Sequence, residues 1–98
     1  MPVGLTATRQ QSTNEIIASW PPVDLDLFHG NFMGYKLHIQ LTEIGGDEPS
    51  IRQFMELDFH PNLRQYIFSA EPAATYVFSL AYRSSWGIGP YATAIGGK

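Results

Sequence analysis

Seven serines (Ser12, Ser19, Ser50, Ser69, Ser79, Ser84 and Ser85), three histidines and nine acidic side chains are the groups of this chain that could serve nucleophilic, acid–base or metal chemistry. Each of those chemistries needs convergence, and no motif pairs one of the serines with a histidine and an acid. His29 and His60 are expected in loops at one end of the fold, with Asp24, Asp26 and Asp58 nearby in sequence. Imidazole and carboxylate together suit zinc or a similar ion. The spacing matches no metal motif, however, so both histidines read as solvated loop residues. His38 falls on the outward parity of a strand and reads as a surface residue. With no cysteine in the chain, disulfides and thiolate sites are excluded. No catalytic residue, metal or cofactor is expected, and the chain reads as non-enzymatic.

Trp86 is the side chain whose presence chemistry and turn formation leave unexplained. It stands between Ser85 and Gly87, where a bulky aromatic has no duty in forming the turn. Either it folds back over its loop or onto Tyr91, or it anchors a partner, as aromatics do at interface hot spots. Leu25, Leu27 and Phe28 alternate with acids in a loop expected at the same end. They either plug the open end of the fold or join Trp86 and Ile88 in an apolar patch. Trp86, Ile88, Leu25, Leu27 and Phe28 are therefore the candidate protein-binding residues. The competing surface is the exposed side of a sheet around Lys36, His38, Gln40 and Phe54.

The elements that must position these residues are strands. Short alternating segments separated by Pro, Gly, Asn and Asp recur throughout, and no apolar pattern of period 3.6 lasts three turns. Strands are expected over residues 5–10, 15–20, 33–41, 51–59, 63–70, 76–84 and 91–95. Pro21-Pro22 stops the second, Gly45-Gly46-Asp47 follows the third, and Pro61-Asn62 follows the fourth. Inward parity predicts a core of Trp20, Tyr35, Leu37, Tyr66, Phe68, Tyr76, Phe78 and Leu80. Val77, Ser79, Ala81 and Arg83 fall on the outward parity, and Phe54 is expected to be exposed. Glu71-Pro72-Ala73-Ala74-Thr75-Tyr76 reads as a tyrosine corner, with the Tyr76 hydroxyl holding the turn backbone. Residues 2–95 are expected to fold as one seven-stranded, two-sheet antiparallel sandwich, with 96–98 as linker. Ninety-eight residues that are 44% hydrophobic support one core and not two.

The order of motifs resembles the fibronectin type III module over nearly the whole chain. The resemblance is carried by Pro2 and Leu5, Trp20-Pro21-Pro22, Gly34-Tyr35-Lys36-Leu37, Pro72 with Tyr76, and Gly87-Ile88-Gly89-Pro90. Ala70 and Ala74 stand where the family usually has Leu and Thr, which predicts a looser corner by about 2 kcal/mol unless Phe68 or Leu63 fills the space. The stretch from Asp24 to Tyr35 is similar to modules found in tandem in cell-surface adhesion molecules and receptors.

What the resemblance implies is an interaction or spacer module of a larger, extracellular protein, membrane-anchored or secreted, meeting a protein partner or neighbouring modules of its own chain. Two alternatives stay open: an intracellular scaffold module of the muscle-filament type, and an accessory module of a secreted carbohydrate-active enzyme. Arg83-Ser84-Ser85 stands where some relatives carry an integrin-binding Arg-Gly-Asp, so that route is closed. A net charge of −3 with no basic cluster argues against nucleic acid. No apolar run approaches the roughly 18 residues of a membrane span, so no direct membrane contact is expected. No Asn-x-Ser/Thr acceptor occurs. Self-association is left open.

Overall fold

The computed structural model describes residues 4–10, 12–22, 31–47 and 54–96, and over these it is all strand and turn. Eight strands form two antiparallel sheets: β1 (Thr6–Gln10), β2 (Glu15–Ser19), β3 (Phe32–Ile44), β4 (Phe54–Phe59), β5 (Gln65–Ser69), β6 (Ala74–Ser84), β7 (Gly87–Ile88) and β8 (Ala92–Gly96). The three-stranded sheet runs β1-β2-β5. The five-stranded sheet runs β4-β3-β6, with β7 and β8 both pairing along the far side of β6.

Alternation explains the core. Ile16, Ala18 and Trp20 from one sheet meet Tyr35, Leu37, Ile39, Leu41, Tyr76, Phe78 and Leu80 from the other, all buried. Trp20 lies just past β2, yet its N–H still donates to the Arg64 carbonyl at 3.0 Å and its indole donates to the Leu63 carbonyl at 2.9 Å. The main-chain N–H and the indole N–H that this residue brings inside are thus both satisfied. Of the eight residues expected in the core, seven are buried. Tyr66 is half-buried at the rim, its ring tilted against Phe59 with centroids 5.3 Å apart, because β5 is an edge strand and nothing described flanks it on that side.

Three departures from the sequence reading have physical causes. Ala81, on the outward parity of β6, is fully buried. β6 lies in the interior of its sheet, and Ala81 is registered against Lys36, whose long side chain is itself largely covered. A short strand absent from the sequence reading precedes the expected last one: β7 pairs Arg83 with Ile88, and β8 pairs Leu80 with Ala92, one residue out of step. Pro90 lies between them and has no N–H to give a ladder. Gly96, read as linker, is buried in β8 opposite Tyr76. A Cβ there would stand 2.8 Å from Phe78 Cε1 and 3.0 Å from Ile16 Cγ2, so the close approach of the two sheets selects glycine.

The corner before β6 forms as the sequence predicts. The Tyr76 hydroxyl accepts a hydrogen bond from the Glu71 N–H at 2.9 Å, and Ala74 N–H donates to the Glu71 carbonyl at 3.3 Å. Ala73 takes a left-handed conformation with φ 58, which costs an alanine about 1–2 kcal/mol. Arg9, from β1, reaches across and donates to the carbonyls of Ala74 at 2.6 Å and Glu71 at 3.3 Å. Phe68 packs edge-on against Tyr76 at 4.9 Å, while Leu63 lies beyond the other end of β5, where its carbonyl accepts from the Trp20 indole. Of the two residues the sequence offered for the space beside the alanines, the corner has Phe68 and not Leu63.

Candidate protein-interaction site

At the opposite end of β6 the chain reverses through Ser85 and Trp86, a two-residue connection between the paired Ser84 and Gly87. Gly87 has φ 117, a conformation that glycine alone adopts without strain, and it lets the chain turn back so tightly. The Ser84 hydroxyl accepts from the Trp86 N–H at 3.1 Å and donates to the Gly87 carbonyl at 3.3 Å. Gly89 N–H donates to the Tyr82 carbonyl at 3.1 Å, closing the base of the hairpin.

The backbone that carries Trp86 is thus pinned by hydrogen bonds while its side chain is 82% exposed. It does not fold onto Tyr91. That ring stacks on His38 instead, with centroids 4.6 Å apart. Ile88 is half exposed, and Met33, on the neighbouring strand, is exposed to the same degree. Below them Arg83 clamps the sheet end, donating to the carbonyls of Tyr35 at 3.3 Å, Met33 at 3.4 Å and Phe59 at 3.5 Å. Two aliphatic side chains and one indole project from a base that cannot easily yield.

The second loop of the expected site reaches this hairpin at one described residue. Asn31 exchanges two hydrogen bonds with Ser85: its carbonyl accepts from the Ser85 N–H at 3.1 Å, and its N–H donates to the Ser85 hydroxyl at 3.1 Å. Leu25, Leu27, Phe28 and His29 lie outside the described residues, as do Asp24 and Asp26. Among the described residues no group of three potential metal ligands comes together. His60 sits exposed after β4, its Nδ1 accepting from the Asn62 N–H at 3.1 Å.

The competing sheet face is organised differently. Lys36 Nζ lies 2.7 Å from Glu56 and 3.3 Å from Asp58, His38 Nε2 is 3.0 Å from Glu56, and Arg83 Nε is 3.8 Å from Asp58. The hydrogen bond to Glu56 raises the Lys36 ammonium above its ordinary value, and Lys36 holds the Glu56 carboxyl below its own. His38 is also within 3.2 Å of the Tyr91 hydroxyl. These charges answer one another, so a ligand would have to displace internal partners. Phe54 remains exposed at the margin, 5.1 Å from the His38 ring. Sequence parity placed His38 correctly on the outside but could not show that β4 and the segment before β8 close over it. The clamp made by Arg83 was invisible for the same reason.

Two packed antiparallel sheets joined in this order define an immunoglobulin-like β-sandwich, and within that class the chain has the fibronectin type III fold. It is similar to the third fibronectin III domain of a human protein, solved in solution, with a TM-score of 0.75 at 20% identity over 96% of this chain and 77% of that one. A solved myokine structure aligns with a TM-score of 0.64 at 17% identity, over 96% of this chain and 90% of the other. No protein-family model and no curated protein matches the sequence.

Proposed function

We propose that this chain is a non-enzymatic interaction module of a larger extracellular protein, of the adhesion or receptor kind, and that it meets a protein partner through the hairpin end with Trp86 as the main anchor. One observation carries this reading: an indole 82% exposed on a backbone held by hydrogen bonds on both sides of the turn. Exposed indole is poorly soluble, and a rigid base means little conformational entropy is lost when it is covered. Ile88 on β7 and Met33 at the same end of β3 are two further exposed apolar side chains. The fold supports the module reading, since loops on a rigid sandwich vary without cost to the core. The extracellular setting rests on the resemblance of the Asp24 to Tyr35 stretch to tandem cell-surface modules.

The test is a binding screen of the domain against an array of extracellular proteins, with W86A run in parallel. A partner bound through this end loses about 2 kcal/mol or more, some thirtyfold in affinity, on truncation of the indole. Partners held equally by both forms would move the site to another face, and a screen with no binder at all would favour a spacer.

A further inference from the structure

The three-stranded sheet ends on β5, and among the described residues nothing covers that edge. Natural edges are commonly blunted by charge, proline or bulges. β4 carries Glu56 and Asp58 on its edge, and β1 carries Arg9. β5 reads Gln65-Tyr66-Ile67-Phe68-Ser69, with no charge, proline or glycine, and Ile67 is 48% exposed. The sequence is also symmetric about its centre: polar, aromatic, isoleucine, aromatic, polar. β8, likewise uncharged, lacks this symmetry, since Thr93 would face Ile95 about Ala94.

Backbone direction fits the same centre. The Arg64 carbonyl accepts from Trp20 and the Ala70 N–H donates to Asn14, both at 3.0 Å, so even-numbered positions address the β2 side. By alternation, the N–H and C=O groups of Gln65, Ile67 and Ser69 point to the open edge. We propose that two copies of this chain associate through β5, antiparallel about a two-fold axis at Ile67. Ile67 then pairs with its counterpart and Gln65 with Ser69 of the other copy, each pair exchanging two hydrogen bonds.

The side chains agree with that register on both faces. Outside, the row Thr8, Ile17, Ile67 continues into the same row reversed, with Ile67 against Ile67 at the axis. Inside, the half-buried Tyr66 comes opposite Phe68 of the other copy, an aromatic cross-strand pair. One step beyond each end, Arg64 comes opposite Ala70 of the other copy, so no like charges meet at the flanks. An isologous interface requires a self-complementary patch, and about this axis polar residues meet polar ones, aromatic meets aromatic and Ile67 meets Ile67.

Sedimentation of the domain over a concentration series up to ~1 mM tests this, with a reversible dimer expected. In I67K two ammonium groups face each other at the axis, and the dimer should weaken at least about tenfold. Because the chain has no cysteine, I67C supplies a unique thiol, and Cα atoms about 5.5 Å apart across the axis lie within disulfide range. I67C should form covalent dimers about tenfold faster than I95C, whose thiol would be exposed on the other sheet. Should I67K fail to fold, the cysteine pair still decides. A monomer throughout the series, a dimer indifferent to I67K, or equal cross-linking by the two cysteines would each overturn the proposal.

Discussion

At its Ala74 end β6 starts beneath a closed corner, where Tyr76 and Arg9 bind the turn backbone and Ala73 is held in a strained conformation. At its Ser84 end, about 33 Å further along by strand geometry, it runs into a hairpin whose backbone is equally well bonded but whose largest side chain faces water. Both ends are rigid. They differ in where the aromatic group goes: Tyr76 is directed inward and its hydroxyl finds a partner, while Trp86 is directed outward and finds none among the described residues. Rigidity alone therefore does not distinguish scaffold from site in this molecule. Exposure of a costly side chain on a rigid base does.

The comparison breaks most visibly if the base of the hairpin end is opened. Gly34 has φ 137, and a Cβ there would fall on the Phe59 carbonyl oxygen, with the Arg83 guanidinium 3.1 Å away. G34A is expected to cost about 3 kcal/mol or more in urea denaturation, since backbone strain and overpacking add. A cost below about 1 kcal/mol would mean that this end is softer than its hydrogen bonds imply.

At the corner, Y76F leaves the Glu71 N–H without its partner and is expected to cost about 1–3 kcal/mol. An unchanged midpoint would show that the hydroxyl does not hold the turn, and the contrast between the two ends would lose its first half.

A smaller effect separates both ends from the charged face between them. Lys36 depresses the Glu56 carboxyl, first by its hydrogen bond and then by its charge. A carboxyl whose folded pKa lies below its unfolded value adds stability above the unfolded value and loses it as pH falls through the folded one. Thermal midpoints should therefore drop between about pH 5 and about pH 3, and E56Q should drop less over that window. Equal slopes would show that the Lys36–Glu56 pair contributes nothing to the fold, as many exposed pairs do not.

The smallest expected change is the most telling about the hairpin. W86A should alter stability by no more than about 0.5 kcal/mol, because the indole makes no packing contact that folding requires. A loss of about 2 kcal/mol would show that Trp86 covers apolar surface after all and would remove the reason for regarding it as a binding residue.

Much of this was legible in the chain itself. Alternation within 33–41 and 76–84 identified the two central strands and their inward residues, because a strand with one buried face leaves a period of two. Pro72 and Tyr76 at their spacing announced the corner, and Pro21-Pro22 the end of β2, since proline acts through its own ring wherever it stands. The absence of cysteine closed off disulfides without any coordinates.

What only the tertiary structure decided depends on which strands become neighbours. That Arg9 would clasp a corner 65 positions away, that Arg83 would bind three carbonyls, and that Tyr91 would cover His38 follow from sheet order, which no local pattern encodes. Ala81 and Gly96 looked dispensable because parity reports the face of a strand and not what lies over that face. Trp86 was the clearest case: its sequence allowed either folding back or standing free, and in the structure its backbone is held by the hydrogen bonds of Ser84 and the turn at Gly87 with the indole exposed.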